Sequence, residues 1–311
     1  MPENTISVGE MKRYLSRSMP SVNRNKVNGV LAEIEFRRHI ETLGFSNRVS
    51  AGGWIARNKR SNFSHHVVAL FPETIEADQV IVRNDIPLGL HTICATFHQI
   101  GIKSFFSYPT IRSESSEDVD WKFQQLGIPS STQVIGLDEV FANFEERTRN
   151  YNYLRYHSDS DIVPDEAIPE EFSKENLRVF FASSYFAEIS DIDGILWGEE
   201  KTYPIEIKEK TPAEDTDLGE YFGLDVGPFT KLAFYAAKKG NLHSIFIVRE
   251  IDHEDTRNLV NWYYITYDRL AQYASWVQRG GGTSMGGGRS TVIRIPKREF
   301  SVLNEAAMNQ L

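Results

Sequence analysis

Apolar and polar residues follow two different periods along the chain, and each period predicts one kind of element. Alternation and short apolar runs are typical of strands, whereas apolar residues three and four positions apart are typical of helices. Strands are predicted at 65–71, 102–111, 242–250, 261–268 and 290–296, and helices at 27–45, 88–101, 137–150 and 227–240. This mixture of strands and helices predicts an α/β protein.

The helix predicted at 27–45 carries an acidic residue between two apolar sectors, and Gly44 is expected to end it. One sector is formed by Val27, Val30, Leu31 and Ile34, and the other by Phe36, Ile40 and Leu43. Glu33 falls between the sectors, whereas Glu35 falls on the polar side. We therefore expect Glu33 to be partly buried, with its charge compensated either by a metal ion or by Arg37 one turn later.

Two segments close in sequence bring acidic residues and a lysine onto predicted strands. Residues 191–194 are Asp-Ile-Asp-Gly, and residues 203–210 are YPIEIKEK. Alternation places Tyr203, Ile205 and Ile207 on one face of the second strand, and Glu206, Lys208 and Lys210 on the other. Asp191 and Asp193 share a face of the first strand, so either could join Glu206. We favour Asp193, because Gly194 directly after it permits a bend or a close backbone approach.

These residue types together are suited to phosphodiester hydrolysis. Carboxylates on neighbouring strands can hold Mg²⁺ and leave positions for water and a phosphate. A lysine two residues after the second acid can hold the attacking water and stabilise charge on the phosphate. Asp193 and Glu206 are thus candidate metal ligands, and Lys208 is a candidate catalytic residue. The alternative is a surface strand whose acid and lysine are merely solvated.

The arrangement of Asp193, Glu206 and Lys208 is the D-x(n)-E-x-K signature, and it resembles the PD-(D/E)XK nuclease superfamily. The pattern Gly29-x-x-x-Glu33, which continues to Leu43-Gly44-Phe45, is similar to the opening helix of Holliday-junction resolvases of that superfamily. The resemblance implies a mixed central sheet flanked by helices, a Mg²⁺ cofactor, and a role for Glu33 as a further catalytic and metal-binding acid.

The resemblance also bears on the long stretch between Glu33 and Asp193 and on the helix after the E-x-K triplet. Compact resolvases lack such a stretch, whereas restriction endonucleases of the superfamily often carry long insertions. A polar residue and a tyrosine four positions apart stand near the active site of some relatives. Lys231 and Tyr235 have this spacing, so Lys231 is a candidate DNA contact, although packing alone would also explain the pair.

Composition and motifs predict four segments of the chain. These are an N-terminal segment with the first core helix at 1–45, an α/β insertion for recognition at 46–175, a nuclease core at 176–270, and a glycine-rich basic loop with a last strand at 271–311. Acidic residues and two prolines at 161–175 predict an exposed connection. The six glycines of RGGGTSMGGGR, 279–289, exclude a regular helix or strand interior and predict a loop.

The net charge of −9 argues at first sight against DNA binding, because Lys and Arg supply most non-specific affinity for phosphate. Basic residues are nevertheless concentrated in two stretches without acids, 42–72 and 279–298. We predict DNA contacts there, or alternatively solvated loops. The candidate contacts are Arg57, Lys59, Arg60, Arg279 and Arg289.

The remaining sequence features concern location. Cys94 is the only cysteine, so no intramolecular disulfide is possible, and a reducing compartment is favoured. Neither a signal segment nor an apolar run long enough for a membrane span is evident. We therefore expect a cytoplasmic protein.

Three functional hypotheses follow from these patterns. The first is a type II restriction endonuclease, a Mg²⁺-dependent homodimer that cuts double-stranded DNA at a short site. The second is a structure-selective nuclease of DNA repair or recombination with the same fold. The third is a non-catalytic DNA-binding or assembly protein in which the E-x-K triplet is incidental. The first is favoured because the long insertion offers surface for recognising a target sequence.

Overall fold

The computed structural model describes residues 4–18, 24–58, 66–81, 86–127, 133–148, 164–237, 241–273, 279–283 and 289–311. The chain divides into two compact units. Unit 1 comprises residues 1–34 and 52–192, and unit 2 comprises residues 35–51 and 193–311. Among the described residues, no helix has both the length and the apolar character needed to cross a bilayer.

Helices are spread over the whole of the described sequence. They are α1 (Val8–Ser18), α2 (Arg24–Thr42), α3 (Leu88–Gln99), α4 (Leu137–Val140), α5 (Ile168–Ser184), α6 (Val226–Ala236), α7 (Tyr267–Leu270) and α8 (Glu305–Gln310).

Strands occur in both units, and β1 and β6 each have residues in both. They are β1 (Val49–Asn58), β2 (Val67–Pro72), β3 (Lys103–Ile111), β4 (Val119–Leu126), β5 (Val134–Ile135), β6 (Ala187–Trp197), β7 (Thr202–Lys210), β8 (Ala213–Asp215), β9 (Gly219–Asp225), β10 (Ile245–Ile251), β11 (Leu259–Thr266), β12 (Arg279–Thr283), β13 (Arg289–Pro296) and β14 (Ser301–Val302).

Unit 1 contains a mixed sheet with the strand order β1-β2-β3-β4-β5. The β2 and β3 strands are parallel and are joined through α3, whereas the other neighbours are antiparallel. Parallel neighbours need such a crossover, because a tight turn can join only antiparallel strands. The core of the unit is aromatic, and fully buried members include Trp121, Phe123, Phe172 and Phe181.

Unit 2 contains two sheets. The larger has the order β14-β11-β10-β7-β6 and continues to the first residues of β1, and the smaller has the order β12-β13-β9-β8. The β7 and β10 strands are parallel and are connected through α6, whereas β6 is antiparallel to β7 and β11 is antiparallel to β10. An apolar cluster joins Phe222 of β9, Leu232 of α6, Phe246 of β10 and Ile293 of β13. The smaller sheet and α6 therefore cover one face of β10.

The helix predicted around Glu33 is confirmed, and Gly44 ends it by a specific geometry. Gly44 has a φ of 88°, which favours glycine. The Phe45 amide donates to the Ile40 carbonyl at 3.1 Å, and the Gly44 amide donates to the Glu41 carbonyl at 2.9 Å. These bonds around a left-handed glycine form the Schellman motif that closes many helices.

The mixed α/β character and most predicted elements are confirmed, but three local predictions are wrong. The helix predicted at 137–150 ends at Val140, because Phe141 and Phe144 turn into the apolar core and Glu146 bridges to Tyr185. Of the acidic stretch 161–175 predicted as an exposed connection, residues 161–163 lie outside the described residues, Asp165–Ala167 form a 3-10 turn, and the rest forms the first half of α5. Pro169 lies in the first turn of α5, where a missing amide proton costs nothing.

The third wrong prediction concerns the glycine-rich segment. Gly280, Gly281 and Gly282 lie within β12, whose backbone pairs with β13 in an irregular register, whereas residues 284–288 of the segment lie outside the described residues. Sheet pairing uses backbone groups, so glycine weakens a strand without excluding it. The four-segment division by function stays a prediction.

The buried thiol of Cys94 provides a test of unit 1. Burial raises the pKa of Cys94 to about 12 despite a hydrogen bond with Ser104. The thiolate is the reactive form, so its population near pH 8 falls roughly a thousandfold relative to an ordinary thiol. We expect iodoacetamide to label the folded protein at least about a hundredfold more slowly than the urea-unfolded protein, as measured by mass spectrometry.

A Cys94→Ser, Glu199→Cys variant is the matched control, because Glu199 is exposed. Its thiol should react at similar rates with and without urea. Equal labelling of Cys94 in the folded and unfolded chains would contradict the described packing of α3.

Candidate functional site

The strand β7 is central in unit 2 and is buried on both faces. It lies between β6 and β10, and Glu206 is only 2% exposed. The alternative of a surface strand with a solvated acid is therefore wrong for Glu206. A carboxylate at such a position requires nearby cations or hydrogen-bond donors, because burial of an unpaired charge is costly.

Asp193 reaches the same region from the neighbouring strand β6. Its side chain is buried, and its Oδ2 atom accepts a hydrogen bond from the Ile207 amide at 2.8 Å. A Cβ on Gly194 would lie 3.1 Å from Ile205 Cδ1 and 3.3 Å from the Ser50 carbonyl oxygen. The glycine thus permits the close approach on which the choice of Asp193 rested. Asp191 is exposed and belongs to unit 1.

Lys208 contacts the first oxygen of Glu206. Its Nζ atom lies 2.6 Å from Glu206 Oε1, and its side chain is 35% exposed. Burial alone would lower the pKa of Lys208, but Glu206 and Asp193 outweigh burial and raise that pKa above its ordinary value. Lys208 is therefore a protonated hydrogen-bond donor at neutral pH in the metal-free protein.

Lys231 approaches the second oxygen of Glu206 from the helix α6. Its Nζ atom lies 2.5 Å from Glu206 Oε2 and 3.9 Å from Asp193 Oδ1, and the side chain is 14% exposed. The helix is held against β10, since Ser244 Oγ donates to the Leu232 carbonyl at 2.8 Å. One ammonium group consequently faces both carboxylates.

The four side chains form a compact group of two acids and two lysines, which we call the acid–lysine cluster. Its members are Asp193, Glu206, Lys208 and Lys231. The Glu206 Oε2 atom is buried and makes no hydrogen bond of acceptable geometry, so its approach to Lys231 is a charge contact. Two formal negative charges are balanced by two positive charges within the cluster.

A divalent cation would be held in the cluster by Asp193 and Glu206. Mg²⁺ commonly takes only one or two protein carboxylates and completes its shell with water and phosphate oxygens. Within the described parts of the chain, no group of three or more His, Cys, Asp or Glu side chains could hold a metal. Two carboxylates, one of which has an oxygen without a hydrogen bond, thus suit Mg²⁺. They are too few for a metal ion that needs many protein ligands.

A different ion-pair network occupies the opposite face of β7 and was not predicted from the sequence. The Glu209 carboxylate accepts two hydrogen bonds from Arg257, at 2.7 Å each, and one from Arg249 Nη1 at 2.9 Å. Arg249 Nε also lies 2.5 Å from Glu35 Oε2. The alternation of YPIEIKEK places Glu209 on this face, but only the pairing with β10 brings Arg249 beside it.

Lys210 lies on the same face of β7 as Glu206 and Lys208, next along the strand. Burial lowers the pKa of Lys210, Asp225 opposes that change, and the charge on Lys208 adds to it. Asp225 directly precedes α6, so this pair lies beside the start of the helix that carries Lys231.

Glu33 lies in unit 1, where its carboxylate accepts a hydrogen bond from Lys174 Nζ at 3.0 Å. Burial alone would lower the pKa of Lys174, but Glu33 and Glu171 outweigh it and raise that pKa. The Lys174 carbonyl also accepts a hydrogen bond from Trp54 Nε1 at 2.9 Å. Partial burial of Glu33 is confirmed, and its role as a metal ligand stays a prediction.

The other candidate DNA contacts are scattered over both units. Arg57 is exposed on β1 in unit 1, whereas Lys59 and Arg60 lie outside the described residues. Arg279 and Arg289 lie on β12 and β13 in unit 2. Of the predicted DNA contacts, the structure thus brings Lys231 to the acids.

The contact between Glu206 and Lys231 can be measured by a double-mutant cycle. Glu206→Gln and Lys231→Met each remove one buried charge and should each destabilise the metal-free protein. Each single change leaves the buried charge of the partner without a counterion, whereas the double variant leaves neither charge. The double variant should therefore lose about 1–3 kcal/mol less stability than the sum of the two single losses. Urea unfolding in EDTA measures these free energies.

Glu206→Gln combined with Lys201→Met is the matched control, since Lys201 is exposed in the turn between β6 and β7. Those two changes should add to within about 0.5 kcal/mol. Additivity of the Glu206 and Lys231 changes would instead show that the two side chains do not interact.

Comparison with known proteins assigns no family to the chain. No family model, no curated protein and no solved structure matches it. A function must therefore be argued from the acid–lysine cluster and the elements that position it.

Proposed function

We propose that this protein is a Mg²⁺-dependent, sequence-specific endonuclease of the type II restriction class that hydrolyses phosphodiester bonds of double-stranded DNA. Asp193 and Glu206, on neighbouring strands, meet at one buried position with Lys208 beside them, and this arrangement is the main support for the proposal. Burial of two acids in a charge-balanced group is costly for a merely structural strand, and it is expected for a site that handles phosphate and a cation.

The order of elements in unit 2 supports a PD-(D/E)XK core. Along the chain, the second half of α2 is followed by the first residues of β1, then by β6 and β7, by β8 and β9 of the smaller sheet, and by α6, β10 and β11. The larger sheet has the order β1-β6-β7-β10-β11, with β7 and β10 parallel. A helix, strands that carry the acids, a second helix and further strands are the sequence of elements expected in that superfamily.

The two helices of this core act on opposite faces of the sheet. Phe36 of α2 packs against Trp262 of β11 at a ring distance of 5.6 Å, on the face that also carries Arg249. Lys231 of α6 lies on the face that carries Glu206. One helix thus supports the sheet, and the other delivers a charged group to the proposed site.

The residues have distinct roles in the proposed hydrolysis. Asp193 and Glu206 would hold Mg²⁺, which when bound neutralises charge on the phosphate and lowers the pKa of bound water. Lys208 donates hydrogen bonds to the attacking water and to a phosphate oxygen as the new phosphorus–oxygen bond forms and the old one breaks. The attacking water, made more acidic by the metal, would release its proton to solvent, and the leaving oxygen would take up a proton from solvent.

Unit 1 and the basic residues supply the proposed DNA-binding surface. Most of unit 1 lies in sequence between β1 and β6, so it can vary without altering the order of the core strands. Arg57, Lys59 and Arg60 would contact DNA from this part of the chain, and Arg279 and Arg289 from unit 2. A homodimer would match the twofold symmetry of a palindromic site.

Incubation of the purified protein with several plasmid and phage DNAs tests the proposal. We expect discrete fragments in Mg²⁺ and none in EDTA. Glu206→Gln and Lys208→Met should each lower the cleavage rate by about a hundredfold or more, because each removes a group that acts on the phosphate or on its metal. Lys201→Met changes an exposed lysine in the turn between β6 and β7, and this variant should cut at the original rate.

Other outcomes would replace the proposal with one of its alternatives. Random nicking, or cleavage confined to branched DNA, would indicate a structure-selective repair nuclease. Intact DNA under every condition, together with DNA binding that survives Glu206→Gln, would indicate a non-catalytic binding protein.

A further inference from the structure

Lys231 occupies the point in the acid–lysine cluster at which the two carboxylates converge. Its ammonium group lies 2.5 Å from Glu206 Oε2 and 3.9 Å from Asp193 Oδ1. We propose that Lys231 is a built-in cation that holds the place of the metal in the metal-free protein and must leave before Mg²⁺ can bind. This inference rests on the proposed function and concerns the regulation of the same site.

The Glu206 oxygen that Lys231 contacts is available to a metal ion only if Lys231 leaves it. Lys208 Nζ lies against Oε1 and Lys231 Nζ lies against Oε2, so an ammonium group faces each oxygen. Mg²⁺ requires its oxygen ligands at about 2.0–2.1 Å. An ammonium group within hydrogen-bonding distance of the same oxygen would compete for that position and would repel the dication.

The charges also favour exchange over simple addition. With both lysines in place, the two acids are already neutralised, and a dication would add a net charge of two to a largely buried volume. If Lys231 leaves as the metal enters, the excess falls to one, and a phosphate group of the substrate can neutralise the remainder. The displaced ammonium group then becomes available to the same phosphate.

Lys231 is better placed than Lys208 to hold the position of the metal. Lys231 approaches both acids and is 14% exposed, whereas Lys208 is 35% exposed and forms an ion pair with Glu206. Leu232 and Tyr235 of α6 are buried, so the backbone that carries Lys231 is anchored. The side chain can therefore leave by rotation of its own torsions while the helix stays in place.

This exchange couples metal binding to DNA binding. A metal that must displace Lys231 binds weakly to the free protein, because the ion pairs are lost. A DNA phosphate that receives the displaced ammonium group recovers that interaction, so each ligand strengthens the binding of the other. The carboxylates would then take up metal mainly when substrate is present.

The affinity of the DNA-free protein for Mn²⁺, measured by isothermal titration calorimetry, tests the inference. Lys231→Met removes the competing ammonium group and keeps the unbranched shape of the rest of the side chain, so it should tighten Mn²⁺ binding by at least about tenfold. Lys231→Arg retains the positive charge and should bind Mn²⁺ no more tightly than the wild type. Lys201→Met controls for the general loss of one positive charge and should leave the affinity unchanged.

Thermal unfolding of the same proteins provides a second measurement and a check of folding. In EDTA, Lys231→Met should melt below the wild type, because the acids lose a cation. The same excess of Mn²⁺ should raise its melting temperature more than that of the wild type, since a ligand at a given concentration stabilises the folded state more when its Kd is lower.

The failures of the inference and of the proposed function are distinguishable. Equal Mn²⁺ affinity of the wild type and Lys231→Met, with DNA cleavage intact in the wild type, would overturn the exchange and leave the nuclease in place. Absence of Mn²⁺ binding from every form, with no cleavage, would overturn the metal site and the exchange together. Tighter binding by Lys208→Met than by Lys231→Met would assign the position of the metal to the other lysine and would also overturn the inference.

Discussion

A carboxylate in the middle of a sheet is stable only if positive charge accompanies it, and Glu206 imposes this condition on unit 2. The side chain is 2% exposed and lies near Asp193, which is 4% exposed. Removal of two charges from water costs several kcal/mol for each ion before any attraction is counted. The spacing of Lys208 along β7 and the crossing of α6 over that strand both satisfy the condition. The positions of these two elements are therefore fixed by charge as well as by apolar packing.

The two faces of β7 satisfy buried acids in different ways. On one face, Arg257 donates two hydrogen bonds to Glu209, and Arg249 forms ion pairs with both Glu209 and Glu35. A guanidinium group presents a rigid fork that matches a carboxylate. On the other face, the partners are lysines, whose single ammonium group ends a flexible stem. The arginine face is suited to holding the sheet together, and the lysine face is suited to a change of partners.

Much of unit 2 could be predicted from the sequence because its signals are local. Alternation in YPIEIKEK separates the faces of β7, the glycine after Asp193 indicates a close approach, and Gly44 marks the end of α2. The burial of Glu206 could not be predicted, because it depends on β10 and α6, which follow later in the chain. The ion pairs of Glu209 have the same origin. The spacing of Lys231 and Tyr235 indicated that Lys231 could lie near the site. The contact itself could not be predicted, because it is set by how α6 crosses the sheet.

The local errors have a related cause, because residues were judged by type without their tertiary surroundings. Pro169 and the acids around it resemble a linker, yet Pro169 opens α5, and Phe172 and Glu175 are buried there. The glycines of β12 resemble a loop, yet their backbone finds a partner in β13. Propensity is a weak guide wherever a neighbouring element supplies the missing interaction.

The division of unit 2 into two separated stretches, 35–51 and 193–311, has a consequence for the order of events during synthesis. A chain leaves the ribosome from its N-terminus. The end of α2 and the first residues of β1 emerge early. Residues 52–192 must then be synthesised before the strands that pair with them in unit 2. Asp193 and Glu206 emerge next, while Lys231 and β10 are still inside the translation machinery. Nascent chains thus contain the acids before they contain the lysine and the strand that fix them, and an interrupted chain holds no assembled cluster.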